Sequence, residues 1–154
     1  MAVSDYIGRT IDVLAFRGGT AVGEVELDRS LAADGGSGEI TTGIQKLAQK
    51  WLLTLLTEKG SVKYKPNFGT FFMRKLAIGS VATEQQLFAL FSAVEIDLAG
   101  QLLAEEDANT PDDERYNTSK IISATVFPGY INLTVTLSSQ TSNVNFIVPI
   151  PLVV

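Results

Sequence analysis

The 154-residue sequence contains no cysteine and no histidine. Without cysteine there is no disulfide, no thiolate nucleophile and no sulfur-ligated metal site. Without histidine the commonest general base near neutral pH is missing, and a Ser-His-Asp hydrolase is excluded. Any catalysis would rest on carboxylates, lysine or tyrosine. Positive charge is scarce as well: 12 Lys and Arg stand against 17 Asp and Glu, for a net charge of −5. Non-specific nucleic-acid affinity depends on cationic charge, so a pI near 4.7 argues against a nucleic-acid partner. No uninterrupted apolar run approaches the roughly 20 residues that cross a bilayer, so no membrane partner is expected. Met1-Ala2-Val3-Ser4-Asp5 has neither the basic head nor the apolar core of a signal peptide. The expected setting is a cytoplasm-like compartment or an assembled particle.

What the sequence does have is an ordinary globular composition, 45 % apolar and 19 % charged, at a length that suits one domain. Residues 1–38 read as an N-terminal arm. Ile11 to Phe16 and Val22 to Leu27 are candidate hairpin strands, and Ala32 to Gly38, with three glycines in seven residues, is a flexible joint. Residues 39–154 read as an α+β core, two main helices and a short one on a small antiparallel sheet.

The first helix, 41–58, carries an apolar stripe at three- and four-residue steps through Ile44, Leu47, Trp51, Leu52 and Leu55. Thr42 and Gln45 have capping-box spacing, Lys46 and Gln49 fall toward water, and Gly60 is the expected stop. A short helix over 69–78 is expected to bury Phe71, Phe72, Leu76 and Ile78 in part. The third helix, 83–105, opens with a second capping box at Thr83 and Gln86 and buries Leu87, Leu90, Phe91, Val94, Leu98 and Leu102. Gly100 inside it suggests close packing on the first helix.

From Lys120 the period changes to two. Strands are expected over 120–127, 130–138 and 143–149, with Pro128-Gly129 as a tight type II reversal. Ile122, Ala124 and Val126 share one face of the first. Ile131, Leu133 and Val135, then Val144, Phe146 and Val148, present the apolar face of the other two. Apart from Pro128, the span from Ile121 to Ile147 has no lysine or proline to blunt a sheet edge.

Charge is distributed in blocks. Seven of the twelve basic residues lie between Lys46 and Lys75, and six acids fall within the eleven residues Glu105 to Arg115. The acidic stretch lacks the glycine and ligand register of a calcium loop. It reads as solvated, with no metal and no cofactor expected.

The order of parts resembles a known family. Leu55-Leu56-Thr57-x-x-Gly60 and Tyr64-x-Pro66-x-Phe68-Gly69-Thr70, followed by a short helix, a long helix, Asp113-Glu114-Arg115 and an antiparallel sheet, are similar to the small baseplate wedge protein of contractile phage tails. That family has a counterpart in the type VI secretion baseplate. The resemblance covers roughly residues 40 to 148, with Gly60, Pro66, Phe68 and Gly69 as its loop motif. Where the family has Glu-Pro-Arg, this chain has Asp113-Glu114-Arg115, without the proline. The resemblance implies that this turn docks on the helical core bundle of larger wedge proteins. It also implies that the sheet, through the strands of Ile131, Leu133, Val135, Val144, Phe146 and Val148, meets the tail sheath protein and starts its assembly. The implied setting is the baseplate of a virion, built with six-fold symmetry in the host cytoplasm, with tube or hub-proximal proteins as further neighbours.

Members of the family have carried a lysozyme label, so a peptidoglycan hydrolase is one alternative and an adaptor in another multiprotein machine is a second. A glycosidase needs two carboxyls across a cleft, roughly 5–5.5 Å or 6.5–9.5 Å apart. Glu39, Glu58 and Glu95 stand alone in the sequence and the other acids cluster in one loop, so no catalytic residue is assigned. The chain is expected not to be an enzyme.

Overall fold

A computed structural model describes residues 12–13, 17–18, 25–26, 40–79 and 81–151. In chain order the elements are β1 (Asp12–Val13), β2 (Arg17–Gly18), β3 (Val25–Glu26), β4 (Ile40–Thr41), α1 (Gly43–Leu56), α2 (Phe72–Ala77), α3 (Glu84–Ala104), β5 (Tyr116–Phe127), β6 (Tyr130–Ser139) and β7 (Asn143–Pro151). This is the expected α+β arrangement, three helices against a three-stranded antiparallel sheet ordered β5-β6-β7.

Among the described residues of the arm the expected pairing of 11–16 with 22–27 is not seen. Asp12–Val13 pairs instead with Ile40–Thr41 at the entrance to α1, and Arg17–Gly18 pairs with Val25–Glu26. β3 runs beside β7 without joining its sheet. The glycine-rich joint at 32–38 and the last three residues lie outside the described residues.

Trp51 organises the core. It is fully buried, with Phe91 of α3 at 6.0 Å and Phe146 of β7 edge-on at 5.5 Å between ring centroids. One side chain thus touches both other layers, and such aromatic pairs contribute about 0.5–1.5 kcal/mol beyond their burial. Around it pack Leu47, Leu52 and Leu55 of α1, Phe72 of α2, and Leu87, Leu98 and Leu102 of α3. The sheet contributes Ile131, Leu133, Val135, Leu137, Phe146, Val148 and Ile150, each at most 1 % exposed. Strict alternation along β6 produces this dry face.

Several local expectations are corrected. β5 starts four residues earlier than expected and carries a bulge between Ile121 and Ser123. The extra residue breaks the two-residue period, so Ile121 packs on the core while Ile122 is exposed; Val126, toward the Pro128-Gly129 turn, is exposed too. In and after α2, Phe72 and Leu76 are buried but Phe71 and Ile78 are exposed, because a six-residue helix has only one inward face. Gly100 has no neighbour within reach of a Cβ and does not face α1. α3 is long and apolar enough to cross a membrane by length and composition, although no uninterrupted apolar run is; here its inner side supplies five core residues.

Candidate functional site

The sequence singled out two short segments, and each is anchored to a helix by one residue. Glu114 is buried. One of its carboxylate oxygens accepts a hydrogen bond from the Gly43 N–H at 3.0 Å, and the other accepts from Lys46 Nζ at 2.9 Å. One free N–H of the first turn of α1, that of Gly43, is therefore met by a residue 71 positions away. Thr42 makes no side-chain cap, so the expected box with Gln45 is absent. Gly43 takes a positive φ of 67°, which turns its N–H toward the carboxylate. Lys46 and Gln49, expected in water, are buried; at Lys46 the acidic turn folds over the side of α1 that sequence alone assigns to solvent.

Arg115 holds the turn. Its Nε donates to the Thr110 carbonyl at 3.0 Å and its Nη2 to the Asp107 carbonyl at 2.9 Å, with Glu106 and Asp112 carboxylates at 3.9 and 3.5 Å. Both arms of the fork are thus engaged within the chain. The stretch is not simply solvated. The Asn109 N–H and the Thr110 hydroxyl hold the Asp107 carboxyl below its ordinary pKa. Asp113, between these anchors, is half-buried. Tyr116 follows, donating its hydroxyl to Glu95 at 2.9 Å, and burial pushes its pKa up to about 12. Glu95 and Glu58, which stand alone in sequence, are therefore partnered in space, Glu58 by Arg74 at 3.2 Å; Glu39 lies outside the described residues.

The second anchor is Gly69. Its N–H donates to Gln101 Oε1 at 2.9 Å and its carbonyl accepts from Gln101 Nε2 at 2.8 Å. With φ at +94°, an added Cβ would overlap the Thr57 carbonyl oxygen. Beside it the Thr70 N–H donates to that same carbonyl at 2.9 Å, closing the loop from 57 to 70. Gly60 also has a positive φ, +89°, but nothing around it, and α1 ends earlier, at an extended Thr57. Phe68 does not pack under α1. It is half-buried near the end of α3 with Lys65 Nζ at 5.8 Å from its ring, in an open groove of about 300 Å³ lined by Pro66, Asn67, Gln101, Ala104 and Glu105. Pro66 and Tyr64 are exposed, Tyr64 by 90 %.

Among the clustered cations, Lys46, Lys50, Lys59, Lys65 and Arg74 sit within 4 Å of this chain's own carboxylates. Among the described residues no group of three or more acids is placed to hold a metal ion.

The sheet offers edges rather than side chains. Ile131, Leu133, Val135, Phe146 and Val148 face the helices and are buried, and Val144 packs against them. Of the two edges, β5 is closed at two points: Glu84 accepts from the Ala124 N–H at 3.3 Å and Glu106 from the Tyr116 N–H at 2.6 Å. On β7, Pro149 pairs with Asn132 and Pro151 with Tyr130. Proline has no N–H to give β6, so these positions, and with them Asn145 and Ile147, face away from the sheet. The outer edge of β7, beside which β3 of the arm runs, turns its N–H donors outward at Asn145 and Ile147 and has none at the two prolines.

No family model matches the chain, and no curated protein and no solved structure matches it.

Proposed function

We propose that the chain is a structural component of a contractile-tail baseplate wedge, joining larger wedge proteins through its helical side and offering the β7 edge to the tail sheath protein. The observation that carries the reading is that the motif residues behind the resemblance also hold the fold together. Gly69 and Glu114 fix the two segments that flank the helical layer, and beyond them β7 turns N–H donors away from β6 at Asn145 and Ile147, at an edge that the β3 segment of the arm adjoins. Each main-chain hydrogen bond across such an edge contributes about 0.5–1.5 kcal/mol net. With Phe146, Val148 and Ile150 in the core, deleting β7 would unfold the protein and test nothing.

The informative variants are Asn145→Pro and Ile147→Pro, which remove outward donors without removing a bond to β6. Both are expected to keep the wild-type circular dichroism and to lose sheath nucleation, scored by electron microscopy of baseplates reconstituted with sheath protein. Normal sheath growth on a folded double variant overturns the edge role. Arg115→Lys, which cannot reproduce a two-carbonyl fork, is expected to fold and to fail in co-purification with the larger wedge proteins; recovery at wild-type yield removes the turn from the docking surface.

A further inference from the structure

Among the described residues the outward side of α3 has no partner within the chain. Only 28 % of its most apolar window is buried. Ile96 is 76 % exposed and Leu103 51 %, and Ala89, Ser92, Ala93 and Gly100 are exposed with them. At about 100° per residue these six fall on one stripe. The stripe carries no charge. The three acids of α3 are turned to its flanks and engaged there: Glu84 by the Ala124 N–H, Glu95 by the Tyr116 hydroxyl and Asp97 by Lys59 at 2.8 Å.

Gly100 is the second observation. Glycine weakens a helix interior, and here it takes no special φ, and a Cβ built on it would meet none of the described residues. Nothing among them uses its missing side chain.

The geometry points to a second copy of this chain as the occupant, packed through α3 antiparallel to α3 about a two-fold axis level with Leu98. In that register Ile96 of each copy lies over Gly100 of the other, Leu103 lies over Ala93, and Ser92 meets Ala104. Every bulky residue of the stripe meets a small one, twice, as an isologous interface requires. A parallel pair would set Ile96 on Ile96 and Gly100 on Gly100, bulk against bulk and gap against gap. Antiparallel packing also places Glu95 opposite Gln101 and Asp97 opposite Ala99, so no like charges are apposed. A helix about 30 Å long gives an interface near the lower limit for specific complexes, roughly 1,000 Å², so the dimer is weak, with a Kd on the order of 10–100 µM. The inference does not depend on the wedge reading and stands if the chain serves another machine.

Sedimentation velocity on the full chain from about 5 µM to 1 mM is expected to show a concentration-dependent dimer. Gly100→Ile, at an exposed position where an added Cβ meets none of the described residues, is expected to weaken it at least about tenfold. The exchanged variant Ile96→Gly with Gly100→Ile restores the pairing of bulk and gap, and with it most of the affinity. Because the chain has no cysteine, cross-linking gives a second readout. Ile96→Cys mixed with a length-tagged Gly100→Cys is expected to form the mixed disulfide about tenfold faster than either forms its own, since like positions lie roughly 10 Å apart along and across the pair, beyond disulfide reach. A monomer at every concentration overturns the proposal, as does cross-linking that is no faster for the mixed pair.

Discussion

The loop 57–70 and the turn 112–116 are held against helices by opposite means. At Gly69 the anchor is neutral and steric: a primary amide clamps one peptide unit, and the backbone runs so close to Thr57 that no side chain fits. At Glu114 the anchor is ionic. A buried carboxylate serves a helix N-terminus and an ammonium group together, and each charge is tolerable in the interior because the other is there. The first kind of anchor depends on what is absent from a residue, the second on a partner far away in sequence.

Removing one charge should have the largest effect. Glu114→Ala takes from Lys46 its buried counter-charge and from Gly43 its acceptor, at a cost of about 3–5 kcal/mol. The double variant Lys46→Met with Glu114→Gln should recover a large part of that in urea unfolding; additive losses would show that the pair is not coupled. The steric anchor is tested by two glycines with nearly the same φ. Gly69→Ala should cost about 3 kcal/mol, from the left-handed conformation plus the displaced Thr57 carbonyl, whereas Gly60→Ala should cost only the conformational part, about 1 kcal/mol. Equal urea midpoints would mean that the loop yields at Gly69.

The turn should also differ from the loop in its response to alkali. Tyr116 is neutral in the native state up to about pH 12, while an unfolded tyrosine ionises near 10. Its contribution is therefore complete below pH 10 and fades as pH rises toward 12, by about 3 kcal/mol at most. Tyr116→Phe should flatten that decline between pH 10 and 12, and an unchanged slope would assign it to other groups. The smallest effect is expected at Phe68, half-buried and outside the core. Phe68→Ala should cost about 1 kcal/mol, against about 3–5 for the fully buried Phe72→Ala; a loss at Phe68 as large as at Phe72 would place the ring in the core after all.

Periodicity made the layers legible. The three-and-four spacing of Leu47, Trp51 and Leu55, the Thr83–Gln86 box, the Pro128-Gly129 reversal with Gly129 at φ +89° and the alternation of Ile131, Leu133, Val135 and Leu137 are local patterns that local geometry obeys. The positive φ of Gly69 belongs with them. The sequence by itself determined those elements, their order, and the exclusion of histidine and cysteine chemistry. Only the tertiary structure decided what meets what. Glu114 caps α1 from 71 residues away, Lys46 is buried beneath a stretch that reads as solvated, a bulge at Ile121–Ser123 turns Ile122 outward, and α3 keeps an uncharged outer stripe. The reason is physical: hydrophobic period is set by neighbours three or four residues apart, whereas the burial of a polar group depends on a partner that no local pattern encodes.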